Sequence, residues 1–99
     1  MAAELQLESL ASQDIEDAYS WYESCRIGLG EEFLTALDAM IQSIRRMPEL
    51  YGLEYKHYRR GLLRRFPYSV LYEYDGATVT VHCVFHCSRD SDSWQQRLR

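Results

Sequence analysis

Two histidines and two cysteines stand close together near the end of this sequence, in the order His82-Cys83-Val84-Phe85-His86-Cys87. Imidazole and thiolate groups are common zinc ligands, and on a helix residues four apart would share one ion. The segment is rich in β-branched residues, however, which predicts a strand. There, residues four apart lie roughly 13 Å from each other, at about 3.3 Å per residue. Zinc ligands sit at about 2.0 to 2.3 Å from the ion. We therefore predict no metal site, no Cys83–Cys87 disulfide and no cofactor.

Four arginines flank a short apolar segment, Gly61-Leu62-Leu63, with Arg59 and Arg60 before it and Arg64 and Arg65 after it. A guanidinium group is a planar fork of donors that suits phosphate or carboxylate groups. Alternation along a strand predicts that Arg60 and Arg64 share one face and that Arg59 and Arg65 share the other. Whichever face is outward would then present two cations. The alternative is that these arginines pair with the acidic first helix.

His86 and Arg89 could form a second chemical site together with nearby tyrosines. Histidine titrates near neutral pH, and arginine can stabilise a pentacoordinate phosphate. RNA cleavage by attack of the 2′-hydroxyl group needs these two roles. A histidine at the end of a strand can equally be structural. The sequence has no Ser/His/Asp spacing and no Walker loop, and Gly28 and Gly30 lack the third glycine of a dinucleotide-binding loop.

Length and composition indicate one domain, residues 1–99, with 46% apolar and 26% charged residues. The net charge is −4, but residues 45–65 carry seven bases and two acids, whereas residues 1–44 carry nine acids and one base. A local basic patch permits contact with phosphate or with an acidic protein, or it is a solvated face. Three cysteines favour a reduced, cytoplasmic setting. We expect neither a signal peptide nor a membrane-spanning segment.

Hydrophobic periodicity predicts an α+β fold in which a helical hairpin covers one face of an antiparallel sheet and leaves the other face available. Residues 49–57 are expected to form a loop, and Ser12 is the expected N-cap of the first helix. The residues Tyr68, Val70, Tyr72 and Tyr74 should share one face of their strand. Val79, Val81, Cys83 and Phe85 should share one face of the next strand, after a turn at Asp75-Gly76. The predicted elements are a strand Glu4–Glu8, helices Ser12–Cys25 and Glu31–Met47, strands Tyr58–Phe66, Tyr68–Tyr74 and Ala77–Cys87, and a short C-terminal helix Asp92–Leu98.

Five segments, taken in order, resemble the RelE/ParE superfamily of bacterial toxins, and more closely its ParE-like, plasmid-stabilisation branch. They cover nearly the whole chain: DIEDAYSWYE at 14–23, GLGEEFLTALD at 28–38, I-x-x-x-P at 44–48, YRRGLLRRFPYSVLYEY at 58–74 and VFHCSRDSDSW at 84–94. The resemblance implies a βααβββ toxin of a type II toxin–antitoxin system, neutralised by a small cognate antitoxin. It also implies one of two activities. RelE-like members cleave messenger RNA on the ribosome, and ParE-like members inhibit DNA gyrase.

The residues that carry the resemblance favour the ParE-like activity. RelE-like nucleases have the pattern Tyr-Arg-φ-φ-Tyr with a catalytic arginine, and here Ser69 takes the place of that arginine between Tyr68 and Tyr72. The segment from His86 to Arg89 resembles the H-x-x-R element of ParE-like members. Trp94 lies where the nucleases tend to place tyrosine.

These comparisons lead to three functional predictions. The first is a toxin that binds a protein target, which the resemblance implies is DNA gyrase, through Arg60, Arg64, Arg65, His86, Arg89 and Trp94. The second is a ribosome-dependent endoribonuclease acting on messenger RNA, whose catalytic candidates would be Arg65, Tyr72, His86 and Arg89. The third is an inactive relative that binds only its antitoxin. In each case Trp21 and Tyr22 are the predicted surface for the antitoxin or for a homodimer, and no membrane partner is expected.

Overall fold

The computed structural model describes residues 2–88 and 91–98, and of residues 91 and 92 it describes the backbone alone. The strands are β1 (Glu4–Leu7), β2 (Leu53–Tyr55), β3 (Tyr58–Leu62), β4 (Tyr68–Tyr74) and β5 (Thr78–His86). The helices are α1 (Ser9–Cys25), α2 (Leu29–Arg46) and α3 (Ser91–Gln95), and a 3₁₀ turn, Gln96–Leu98, follows α3. The predicted α+β class is confirmed, and the predicted elements occur in the predicted order with one further strand, β2, between α2 and β3.

The sheet has five strands in the order β1-β5-β4-β3-β2. Strand β1 runs parallel to β5, and the other three pairings are antiparallel. The prediction of a loop over residues 49–57 is wrong in one part, because β2 lies there and pairs with β3. At only three residues, β2 is too short for alternation to mark it.

The two long helices cover the face of the sheet that we call the helix face. Phe33, Leu37, Ile41 and Ile44 of α2 are buried, as the predicted apolar stripe requires. Gly61 of β3 lies directly beneath that stripe, since a Cβ atom there would come within 2.8 Å of Met40 Sδ. Helix α1 begins at Ser9, so the predicted N-cap at Ser12 is wrong: the Ser12 amide already donates within the helix, to the Glu8 carbonyl at 3.0 Å.

A second apolar cluster lies on the opposite side of the sheet, which we call the far face. Trp94 and the partly buried Leu98 pack there against strand residues, so the far face is largely covered by the C-terminal segment rather than available. The far-face cluster consists of Tyr58, Leu71, Cys83, Phe85 and Trp94, with Tyr55 and Leu98 at its edge.

A β-bulge in β5 decides which residues reach which face. Leu71 pairs with Cys83 while the next residue, Tyr72, pairs with Val81, so His82 is an extra residue in the ladder. Val79 and Val81 therefore pack in the helix-face core, whereas Cys83 and Phe85 belong to the far-face cluster. The prediction that these four share one face is wrong for this reason. The predicted alternation of β4 is confirmed, since its tyrosines and Val70 all contact the helix-face core.

Strand β3 ends at Leu62, four residues earlier than predicted. The chain then bends through Arg65, whose φ of 70° lies in the left-handed region. Arg64 and Arg65 are therefore outside the strand, and the predicted pairing of Arg60 with Arg64 on one face is wrong. The turn signal at Asp75-Gly76 is confirmed: Gly76 has a φ of 98°, and the Asp75 carboxylate accepts from the amides of Ala77 and Thr78.

Candidate functional site

Arg60 places its guanidinium group on the far face of the sheet. Its Nε donates to the Ser69 hydroxyl group at 2.8 Å, and its Nη1 donates to Glu54 Oε1 at 2.9 Å. The guanidinium carbon also lies 5.5 Å from the centre of the Phe85 ring, within range of a cation–π contact. The hydrogen bond with Glu54 is the main cause of the raised pKa of Arg60. Arg60 is thus a half-buried, permanently charged group held in one orientation.

Trp94 is buried in the far-face cluster, with an exposed fraction of 5%. Its ring stacks on Phe85 at a centroid distance of 5.5 Å and meets the edge of Tyr55 at 5.8 Å. An aromatic side chain buried to this degree anchors its segment. The sequence-based assignment of Trp94 to target binding stays a prediction, and the structure places the side chain inside the far-face cluster.

An ion pair between the two ends of the chain holds the C-terminal segment to α1. Arg97 donates to both oxygens of Asp14, at 2.6 and 3.0 Å, and also to the His82 carbonyl at 3.3 Å. The Val84 amide donates to Asp14 Oδ2 at 3.0 Å. Both charged side chains are mostly buried. Sequence reasoning missed this pair because its partners are 83 residues apart and no local pattern connects them.

Two histidines share one carboxylate further along the far face. His57 Nε2 lies 2.8 Å from Glu73 Oε2, and His82 Nε2 lies 2.9 Å from Glu73 Oε1. Burial alone would raise the pKa of Glu73, but the hydrogen bonds from His82 and His57 outweigh it and the net shift is downward. An ionised carboxylate only accepts, so both Nε2 atoms act as donors to Glu73. Over residues 2–88 and 93–98, no group of three or more His, Cys, Asp and Glu side chains is arranged to hold a metal ion.

Arg64 and Arg65 lie against α2 rather than on the far face. Arg65 donates to Glu32 Oε1 at 2.8 Å, and Arg26 donates to Glu32 Oε2 at the same distance. These hydrogen bonds, that of Arg65 first, lower the pKa of Glu32. Arg64 is exposed and lines two shallow grooves along α2, together with Ala36 and Ala39. The acidic partner of Arg65 is therefore on the second helix, not the first.

The tip of the helical hairpin exposes two large apolar side chains. Trp21 is 64% exposed and Ile27 is 90% exposed. Tyr22, which was predicted to share a partner surface with Trp21, instead packs its ring against Phe33 and Phe66 at centroid distances of 5.4 and 4.9 Å. Trp21 is thus presented to solvent, and Tyr22 mainly contributes to the helix-face core.

The amides of Gly28 and Gly30, at the turn between the two long helices, donate to a carboxylate of the same chain. The Glu23 carboxylate accepts from the Gly28 amide at 3.0 and 3.1 Å and from the Gly30 amide at 2.9 Å. Gly28 adopts a φ of 90°, and a Cβ atom on Gly30 would lie 2.8 Å from the Tyr19 ring. A protein carboxylate occupies the amides that a phosphate would need, so these glycines serve the turn.

Residues 5–91 of the sequence match a family model described as the ParE toxin of the type II toxin–antitoxin system parDE. This chain belongs to the ParE toxin family. The fold agrees with a solved structure, the chromosomal ParDE toxin–antitoxin system from P. aeruginosa. That similarity has a TM-score of 0.62 at 16% sequence identity and covers 86% of this chain and 96% of the other. No curated protein matches the sequence significantly.

Membership of the ParE family confirms the predicted resemblance. The residues predicted to catalyse RNA cleavage have the following positions in the structure. Tyr72 is fully buried on the helix face, where its hydroxyl group donates to the Pro48 carbonyl at 2.7 Å. Burial raises the pKa of Tyr72 to about 12. His86 Nδ1 accepts from the Ser88 amide at 3.0 Å, and the ring meets the edge of Tyr68. Arg65 is paired with Glu32, and Arg89 lies outside the described residues. The structure therefore does not bring Arg65, Tyr72 and His86 into one site.

Within the described residues, no helix of this ParE-family chain is long and apolar enough to cross a membrane. None of its three cysteines, all of which the structure describes, forms a disulfide.

Proposed function

We propose that this ParE-type toxin stops bacterial growth in the cytoplasm by binding a protein target, DNA gyrase, and that it does not cut RNA. The observation that carries the proposal is the environment of Ser69. Nucleases of the superfamily have their catalytic arginine at this position. Here the serine is fully buried, and its hydroxyl group accepts from Arg60. The hydroxyl group of Tyr72, the second tyrosine of the Tyr-Arg-φ-φ-Tyr pattern, donates to the Pro48 carbonyl on the other face of the sheet. The side chains of Ser69 and Tyr72 are both fully buried, which argues against their contact with RNA.

The target surface in this proposal is basic. Residues 45–65 have a balance of seven bases to two acids in a chain whose net charge is −4. The proposed contacts Arg64 and Arg65 are exposed beside α2, and Arg60 lies half-buried on the far face. His86, Arg89 and Trp94 complete the proposed set. Guanidinium groups concentrated on an otherwise acidic protein favour docking to carboxylates of a partner and speed the encounter.

The second proposed partner is a cognate antitoxin that covers the hairpin tip. Trp21 and Ile27 expose apolar surface that a neutralising partner would bury, and tryptophan is enriched among residues that dominate binding energy. Tyr22 supports this surface from beneath, through its ring contacts with the core. A homodimer through the same surface is the alternative occupant.

Induced expression in bacteria tests this proposal. We expect growth arrest without codon-positioned cuts in messenger RNA, as read by primer extension, and rescue when the neighbouring reading frame supplies the antitoxin. Cuts in translated messages would replace the proposal with the ribosome-dependent nuclease. Normal growth with a stably folded chain would leave an inactive relative that binds only its antitoxin.

The variant Trp21→Ala separates the two partners. It should still arrest growth but resist rescue by the antitoxin, because only the antitoxin surface is changed. Ser20→Ala, an exposed neighbour on the same helix, is the matched control and should be rescued normally.

A further inference from the structure

We propose that residues 91–98 form a strap that opens while the rest of the chain stays folded, and that opening uncovers the far-face cluster. The strap consists of α3 and the 3₁₀ turn after it. This device goes beyond the proposed function, because it concerns the state of the far face and not the identity of the target.

Trp94, Arg97 and Leu98 hold the strap against the rest of the chain. Trp94 stacks on Phe85, Arg97 pairs with Asp14 through both oxygens, and Leu98 packs at the edge of the far-face cluster. Local opening is easiest where few buried contacts hold a short segment. A strap of eight residues held at these points meets that condition.

The sheet beneath the strap keeps its own hydrogen bonds when the strap leaves. The carboxylate of Asp14 still accepts from the Val84 amide, so β5 and α1 stay joined. Glu73 still bridges His57 and His82 across neighbouring strands. Arg60 still contacts Ser69 and Glu54. Opening therefore separates the strap from the sheet and leaves no strand without its partners.

The surface that opening uncovers has the composition of a binding site. Tyr58, Leu71, Cys83 and Phe85 are each less than 9% exposed when the strap is closed. The guanidinium group of Arg60 lies over the Phe85 ring at the edge of this surface. Aromatic and aliphatic side chains with an arginine beside them are typical of the centre of protein interfaces. The strap therefore covers an apolar surface until it opens.

Cys83 is a natural reporter of the strap, because it is 1% exposed and belongs to the cluster beneath it. In a Cys25→Ser, Cys87→Ser background, Ellman's reagent reads the exposure of this one thiol under native conditions. We expect its labelling rate to depend only weakly on urea, because a local opening exposes much less surface than unfolding does. We expect Arg97→Gln to raise the rate at least 10-fold. The matched control Arg46→Gln, exposed at the end of α2, should leave the rate unchanged.

Two results would overturn the strap. The first is a labelling rate in the parent protein whose urea dependence equals that of global unfolding, since Cys83 would then become exposed only in the unfolded chain. This measurement needs no change to the strap itself, so it decides even if Arg97→Gln fails to fold. The second is equal labelling rates for a folded Arg97→Gln and for its parent.

Discussion

The guanidinium group of Arg60 closes over the hydroxyl group of Ser69, with 2.8 Å between Nε and Oγ. Ser69 stands at the position of the catalytic arginine in the nuclease branch of the superfamily, and it is fully buried. Arg60, a neighbour on β3, is thus the arginine that donates to this serine and holds it in place. The contact between Arg60 and Ser69 leads to the first prediction.

Ser69→Ala should lower the free energy of unfolding by about 1 kcal/mol, because the hydrogen bond from Arg60 and the weak contact with Cys87 Sγ at 3.5 Å are lost, while the half-buried Arg60 can still bind Glu54 and water. Urea unfolding of the purified variant measures this change. Ser20→Ala, on the exposed side of α1, should stay within about 0.5 kcal/mol of the parent. Growth inhibition by Ser69→Ala should be unchanged, and a loss of toxicity in the folded variant would give Ser69 a role that we do not assign.

Tyr72→Phe should destabilise the chain by about 1 kcal/mol but leave it toxic, since the hydroxyl group serves only the Pro48 carbonyl. The folded-state pKa of Tyr72 is about 12, above the ordinary value of 10.0. The contribution of the hydroxyl group is therefore fully present below pH 10 and is lost as the pH rises through 12. Urea midpoints of the two proteins should differ by a constant amount between pH 7 and 9. A folded but harmless Tyr72→Phe would instead support the nuclease.

The sequence predicted the element order well, and the errors have identifiable physical causes. Helix α2 was clear because Phe33, Leu37, Ile41 and Ile44 repeat at helical spacing and Pro48 follows them. Alternation on β5 failed at His82, because a bulge depends on how two strands pair and leaves no reliable local signal. The end of β3 was missed because apolar residues continue past Leu62 into the bend.

The polar contacts of the candidate site were the part least visible in the sequence. Asp14 and Arg97, or His57 and Glu73, become neighbours only after the sheet has formed. Alternation could have placed Glu73 and Leu71 on one face of β4, but it could not identify a partner from another strand. Ser69 was found because the family pattern has an arginine there, and its burial became known only from the fold.

Truncation of the two tryptophans should destabilise the chain to very different extents. Trp94→Ala should cost about 3 kcal/mol of unfolding free energy, because it empties a buried site against Phe85. Trp21→Ala should cost less than about 0.5 kcal/mol, because that ring is largely in water. Thermal and urea unfolding of the pair measure both effects under the same conditions. Equal costs for the two variants would contradict the described packing of the C-terminal segment.

Stability should fall in acid partly through Glu73. Burial opposes its ionisation, but the hydrogen bonds from His82 and His57 prevail and lower its pKa in the folded state. A lowered pKa gives a contribution that is present above the unfolded-state value and is lost as the pH falls through the folded-state value. The difference in unfolding free energy between the parent and Glu73→Gln should therefore shrink as the pH falls below 4.5, the ordinary value. A difference that grows in acid would reverse this assignment.

Supercoiling of relaxed plasmid by purified gyrase, measured with and without the folded toxin, directly tests whether gyrase is the target. We expect the folded toxin to block supercoiling of relaxed plasmid. Arg64→Gln should weaken the block, and Arg46→Gln should leave it unchanged. Both arginines are exposed, so their loss removes equal charge without disturbing the core. Full supercoiling activity in the presence of a toxin that arrests growth when expressed would contradict gyrase as the target. Equal effects of the two variants would contradict the proposed surface beside α2.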